Sequence, residues 1–514
     1  MAITENLLVL SRLLASYWVP ITITGLTLYA TAKICYNLYL HPAAKFPGPR
    51  LAAATNLWWS YQWTTGRYPF IIAKTLEKYG DVVRVAPNEL VFITPKAASD
   101  IYGSTVKGLE YFPKADFLSL GRKDQGLTWE RDPVKHRHKA KLVQPAFGAK
   151  SLKAKETKMH KHIDAFVQVM ANKGRRGEAV EFRRWADWLS MDIATDMGYS
   201  HQLHQVEQEK YSLIFSALWD TNFFGVLHII SKKFSLLGWL HLFAVPPSTL
   251  MSLAKTRNMN WAALVSRIES RAEVKHLDHF DAMLPGDAPD PSRDQVHAFE
   301  TICGQLAIAG SEPISSSFLC MIALSLQHRE FYDGLVAEVR GSFDRYEDIT
   351  ASSVAPLKLL HAALMEQLRI VVVGATGQPR VSPGAEVDGH YIAKGVEVQY
   401  ANYAFTRDAR FFHEAYCYRP KRWLPEDHAL WDPAYANDCR SDFNPWSLGV
   451  RACPGMMLSR HELKLMVAKV LWSFDLEMVP GQKGIEFESD FRMYSLLEKP
   501  DVWIRFHPVA RATE

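Results

Sequence analysis

Little in this 514-residue chain is extreme, and each thing it lacks closes off a class of protein. Six cysteines (Cys35, Cys303, Cys320, Cys417, Cys439 and Cys453) are too few for a disulfide framework. None forms a C-x-x-C pair, which argues against zinc ribbons and thioredoxin-like sites. The net charge of +4 is too small for a chain-wide nucleic-acid footprint. Neither a strand–G-x-G-x-x-G–helix unit nor G-x-x-x-x-G-K-[ST] occurs, so no nucleotide domain is expected. There is no internal repeat, and 48% apolar against 22% charged residues excludes wholesale disorder. Length alone suggests about three domains.

What is present begins at the amino terminus. Leu13 to Ala32 is twenty residues without a charge. As a helix it would span about 30 Å, the hydrocarbon thickness of a bilayer. A cleaved signal peptide is the alternative, but the run is long for one and no small-x-small cleavage site follows. Lys33, Lys45 and Arg50 follow the run, while Glu5 and Arg12 before it cancel. Positive-inside bias then places the remainder in the cytosol. Phe46-Pro47-Gly48-Pro49 is a stiff hinge. Beyond it, amphipathic helical patterns dominate, with short strand patterns at Val82–Val85, Glu89–Phe92 and Val396–Gln399.

The stretch Trp446-Ser447-Leu448-Gly449-Val450-Arg451-Ala452-Cys453-Pro454-Gly455 carries the chemistry. Gly449 and Gly455 permit tight turns on either side of Cys453. A helical pattern (Leu458, Leu465, Ala468, Trp472) follows directly, and a helix N-terminus favours a thiolate. Arg451 adds a positive charge suited to an anionic cofactor. From the loop alone, a buried structural thiol and a cofactor ligand are both open.

The loop resembles the haem-binding signature F-x-x-G-x-R-x-C-x-G of the cytochromes P-450, the haem-thiolate monooxygenases, with Trp446 in place of Phe. Other elements of that family follow its order along nearly the whole chain. Glu366-Gln367-Leu368-Arg369 places Glu and Arg at i, i+3 on one helix face. With Arg422, in Pro420-Lys421-Arg422-Trp423, the resemblance implies a buried Glu-Arg-Arg network; the family usually has Glu at the Lys421 position. His136 matches a haem-propionate contact, but Ala140 stands where the family has a second one, an Arg. Propionate pairing is then expected from His136, Arg380 and Arg451, with Cys453 as the iron ligand of haem b.

Ala309-Gly310-Ser311-Glu312-Pro313 resembles the family's oxygen groove, A-G-x-[DE]-T. Ala309 and Gly310 are small enough for a ligand to approach the backbone, and Glu312 fills the acidic position. The alcohol is replaced by Pro313, which has no hydroxyl and no N–H. Two readings follow. Either oxygen activation persists, with Ser316 or Ser317 reaching the groove, or the enzyme performs a redox-neutral rearrangement, dehydration or cyclisation. A non-catalytic haem sensor is a third class, but it leaves the other landmarks unexplained.

From Arg131 to Lys161 ten basic residues face two acidic ones. A solvated face or a nucleic-acid patch would fit the charge, yet aromatics are not interleaved. The resemblance implies a docking surface for an acidic NADPH-dependent flavoprotein reductase. No fused reductase is expected. Phe112–Arg122, Ser216–Phe243, Val371–Gln378 and Met493–Leu497 match substrate-facing regions of that family and are rich in apolar residues, as suits an apolar small molecule. The segment from Tyr79 to Leu90 resembles fungal members of the family that tailor terpenoid or polyketide metabolites, which implies a substrate of that type. The expected fold is mainly α with small β-sheets (α+β), a long central helix lying over haem and one N-terminal transmembrane helix in front. Residues 1–45 are expected to form the anchor and hinge. Residues 46–514 are expected to form one catalytic domain on the cytosolic face of the endoplasmic reticulum membrane.

Overall fold

A 34-residue helix, Arg293–Leu326, organises the body of the protein. Its start is set by a capping box: Ser292 Oγ accepts from the Gln295 N–H, and the Gln295 side chain accepts from the Ser292 N–H. It is a computed structural model, and it describes residues 2–119, 124–234, 238–273 and 278–510. Arg293–Leu326 is long and apolar enough to cross a membrane, but protein buries 72% of its most apolar stretch. It lies along Phe182–Tyr199 and against Lys358–Ile370 and Met456–Ser473. A side-chain carbon on Gly310 would meet the Ala194 methyl at 3.2 Å, so the glycine allows the first two helices close approach. Phe166, Phe182, Phe318 and Phe506 meet edge to face in the core between them.

The expected strands form. Val82–Ala86 and Glu89–Phe92 make an antiparallel hairpin, and Leu90 pairs in parallel with Val398 of Glu397–Tyr400. Arg380–Val381 closes this four-stranded sheet on the far side of Glu397–Tyr400. The third strand starts one residue later than its sequence pattern, because the Val396 N–H closes a turn onto the Ala393 carbonyl. Phe474–Met478, Trp503–Pro508 and Ala179–Glu181 form a second, antiparallel sheet. Ala73, Leu368 and Trp423 pack against both main apolar cores, so sheet and helices share one interior.

The amino-terminal run is a helix, Ala2–Cys35, continued by a wider turn at Tyr36–Leu40. From Tyr17 to Tyr29 its large apolar side chains, including Trp18, Ile21, Ile23, Leu26 and Leu28, are exposed. The body carries further exposed apolar residues: Leu57 and Tyr61 on Leu57–Thr64, and Trp239, Leu242 and Phe243 on Gly238–Ala244. Both segments pack on Asn222–Ser231.

Candidate active site

The cysteine loop is held by its own backbone. The Cys453 N–H donates to the Trp446 carbonyl at 2.8 Å, and the Ala452 N–H to Gly449 at 3.0 Å. Gly449 has φ +70°, and a side-chain carbon there would sit 2.2 Å from the Tyr102 carbonyl oxygen. Strain and collision both exclude any other residue. Trp446 is wedged in place, its indole N–H donating to Ser459 Oγ at 3.0 Å and the Arg460 guanidinium lying 4.4 Å over its ring. Gly455 caps Met456–Ser473, leaving Cys453 just ahead of the helix. Cys453 is exposed, yet burial pushes its thiol above the ordinary value and the Gly455 N–H pulls it back only in part. A cation at Sγ would favour the thiolate.

Beside this loop four basic groups converge. Lys114 bridges in antiparallel register to Arg380. Arg380 is 3% exposed, stands 5.3 Å over the Tyr102 ring, and its Nε and Nη1 have no hydrogen-bond partner. Burial, aided by Arg451, lowers its pKa to about 10. Burial, with Arg380 and Arg451 adding repulsion, holds Lys114 well below its ordinary value although Nζ donates to the Thr128 carbonyl at 2.6 Å. His136, buried on Pro133–Val143, falls to about 4 through burial and then Arg451. Arg451 is already engaged: Nε donates to Glu110 Oε1 at 2.8 Å, Nη2 reaches the same oxygen, and Nη1 donates to the Glu130 carbonyl at 2.7 Å. The expected trio His136, Arg380 and Arg451 is thus brought together. Arg380 is the member whose donors remain unmet.

Glu366, Arg369 and Arg422 meet with no exposed surface. Arg369 binds both Glu366 oxygens at 2.8 Å and the carbonyls of Thr406, Ala415 and Cys417. Arg422 Nε donates to Glu366 at 3.2 Å, and the Trp423 indole and Arg419 N–H add 2.8 and 2.6 Å bonds. Burial would raise the Glu366 pKa, but Arg369 and Arg422 outweigh it and bring it to about 2. Asp438 completes the network by pairing with Arg422. Sequence spacing gave no signal for it.

The central helix runs unbroken through Pro313. Ile308 and Ala309 are exposed midway along the helix, and Pro313 is half-buried. Gly310 has its missing side chain aimed at Ala194, so its smallness serves helix packing. Glu312 is 3% exposed, and burial raises its pKa. Ser316 is fully buried and donates to Glu312 Oε1 at 2.8 Å. Acid and alcohol therefore meet at i, i+4 on one helix face.

Of the basic stretch, Arg131, Lys135, Arg137, Lys141, Lys150, Lys153 and Lys161 are exposed. Lys139 turns inward to Asp124 and Glu130, Lys158 to Asp196, and Lys155 is buried against the Ala146 carbonyl and His279. In the segments matched to substrate contacts, Phe112, Val226, Ile229, Val371, Val372, Met493 and Leu497 are buried. Residues 120–122 and 235–237 of those segments lie outside the described residues.

The chain matches the Cytochrome P450 family over residues 47–505 and belongs to it. It is 41% identical over 488 residues to cytochrome P450 monooxygenase TwmD of Talaromyces wortmannii, covering 95% of each chain. It is 31% identical to cytochrome P450 monooxygenase BOA3 of Botryotinia fuckeliana (strain B05.10), covering 95% of this chain and 96% of that one. It is also 31% identical to cytochrome P450 monooxygenase poxC of Penicillium oxalicum, covering 93% and 92%. The helix-rich body with small sheets is that of the family, and the protein is a haem-thiolate monooxygenase acting on a small molecule with a redox partner. Its own residues fit that cofactor: an accessible thiol at Cys453, and an enclosed guanidinium at Arg380 with two unmet donors, suited to a carboxylate.

Proposed function

We propose that the protein oxidises an apolar small molecule, of terpenoid or polyketide type, in fungal secondary metabolism. Electrons come from NADPH through a separate reductase that docks on the exposed lysines and arginines between Arg131 and Lys161. The observation that carries the oxidative reading is the Ser316–Glu312 hydrogen bond, because it provides an acid–alcohol couple despite Pro313. Haem b, ligated by Cys453, would supply dioxygen activation with electron donation from the thiolate. Around it, Arg380 and His136 would hold its carboxylates with the Arg451 charge beside them, and Trp446, Gly449 and Gly455 would shape the thiol's surroundings. Ala309 leaves room above it, and Glu312 holds a proton for release. Glu366, Arg369 and Arg422 fix the fold behind it.

Residues 1–45 serve as anchor and hinge, and 46–514 as the catalytic domain. The exposed apolar run from Tyr17 to Tyr29 supports a single span of the endoplasmic reticulum membrane with the body on its cytosolic face. The exposed Leu57, Tyr61, Trp239, Leu242 and Phe243 support a second contact with the same lipid surface.

A redox-neutral isomerisation, dehydration or cyclisation is favoured by one observation, the replacement of the usual hydroxyl by Pro313. The deciding experiment measures turnover of the precursor that accumulates when the gene is removed. Turnover that requires NADPH, reductase and dioxygen supports the oxidative reading. Turnover that survives without all three would overturn it.

A further inference from the structure

Lys155 has no exposed surface, although it comes from the basic stretch expected to face a partner. Its Nζ donates to the Ala146 carbonyl at 2.8 Å and to His279 Nδ1 at 2.8 Å. Neither acceptor is a carboxylate, and the Asp278 carboxylate beside His279 is bound instead by Arg267 and Ser200. Burial, with repulsion from Lys155 and Lys158, holds His279 well below its ordinary value, so the ring is neutral and Nδ1 accepts. Burial likewise lowers Lys155 to about 8. A buried cation without a bound counter-charge costs stability, and an apolar side chain of similar length would avoid that cost. Fold stability alone is therefore a poor reason for a lysine here.

Its two contacts offer a better one. Ala146 precedes Phe147 in the turn Gln144–Phe147, and His279 begins the helix His279–Met283 that packs on that turn. The Phe147 ring stacks on the His279 ring, with centroids 4.6 Å apart and planes 26° from parallel. One ammonium therefore fixes both the backbone beside Phe147 and the ring lying on its face. The edge of Phe147 reaches the cysteine loop. A side-chain carbon on Gly455 would stand 3.8 Å from Phe147 Cε1 and 3.7 Å from Cys453 Sγ. Phe147 and the sulfur thus border the same small space, which the glycine leaves open.

We propose that Lys155 and His279 are positioning residues that hold Phe147 as an apolar wall beside the Cys453 sulfur and keep water from it. This rests on the haem ligation by Cys453 given above. Solvent access and hydrogen bonds at a ligating sulfur tune the metal it holds. Water admitted there stabilises the more negative, reduced state, so opening the wall should raise the reduction potential and loosen the sulfur's hold.

The test uses the full chain in lipid vesicles with haem, and two readings independent of turnover. One is the half-life of the red-shifted Soret band of the reduced, carbon monoxide-bound protein. The other is the midpoint reduction potential. Lys155→Met should shorten the half-life about tenfold, the worth of one charge-assisted hydrogen bond, and shift the potential upward. Phe147→Leu should move both readings the same way, and it decides alone if Lys155→Met fails to take up haem. Lys155→Met with His279→Phe rebuilds the stack from apolar groups and should recover part of the half-life. The haem-free Lys155→Met protein should unfold at the same urea concentration as wild type, or a higher one. Variants that keep the wild-type half-life and potential overturn the wall while Cys453 ligation stands. A haem-free Lys155→Met protein that is destabilised as much as the loaded one reduces the lysine to a packing contact and also overturns it. A wild-type protein that takes up haem without the red-shifted band overturns the ligation, and the wall with it.

Discussion

Ser316 Oγ donates a 2.8 Å hydrogen bond to Glu312 Oε1, one turn back along the central helix, with both side chains buried. Pro313 lies between them and can contribute neither a hydroxyl nor an N–H. If this couple moves the proton, Ser316→Ala should lower product formed per NADPH by about 10²-fold, the lower end for positioned acid–base groups. Pro313→Thr should change it little while Ser316 is present. A large gain from Pro313→Thr would show that Ser316 does not serve.

Removing a carboxylate from the Glu366 network strands two buried guanidinium groups. Glu366→Gln should cost about 3–5 kcal/mol, measured as loss of unfolding free energy at neutral pH. The folded pKa of about 2 lies below the ordinary 4.5, so the carboxylate's contribution is complete above that value. It is lost as pH falls through about 2. The gap between wild type and Glu366→Gln should therefore narrow across that window and not on the alkaline side.

Arg380 offers a test with opposite signs. Its guanidinium is enclosed with two donors unmet, so Arg380→Leu should leave the haem-free protein as stable as wild type, or more so. The same change should weaken haem retention by about tenfold, measured by transfer to a haem-scavenging protein. Equal retention in both proteins would remove Arg380 from the cofactor's carboxylates.

At the membrane, two contacts predict graded release. Deleting residues 1–45 should reduce but not abolish flotation with lipid vesicles. Adding Leu242→Ser and Phe243→Ser should abolish it, since each large apolar side chain contributes about 1.5–3 kcal/mol on burial. Full release by the deletion alone would assign binding to the helix only.

Much of this was legible because local chemistry forces it. The cysteine loop needs its glycines at fixed positions, and the Glu366–Arg369 spacing puts both on one helix face. The strand patterns at Val82–Val85 and Glu89–Phe92 are short apolar runs, and both strands are buried along their whole length. What could not be read is what long-range folding brings together. Asp438 reaches Arg422 through an irregular loop, Glu110 reaches Arg451 across 341 positions, and Lys499 meets Asp187 across 312. Gly310 looked like room for a ligand because sequence does not show that Ala194 fills that side. Lys139, Lys155 and Lys158 looked like part of a charged face because the helix pattern does not show that they turn inward, Lys139 to Asp124, Lys158 to Asp196 and Lys155 to His279, 124 positions away.

The central claim is that Cys453 binds the haem iron through its sulfur. It is tested most directly by the absorption spectrum of the reduced, carbon monoxide-bound full-length protein. The account predicts the red-shifted Soret band of a thiolate-ligated haem, lost in Cys453→Ser. A wild-type protein that takes up haem yet lacks that band, or a Cys453→Ser variant that keeps it, would contradict the account.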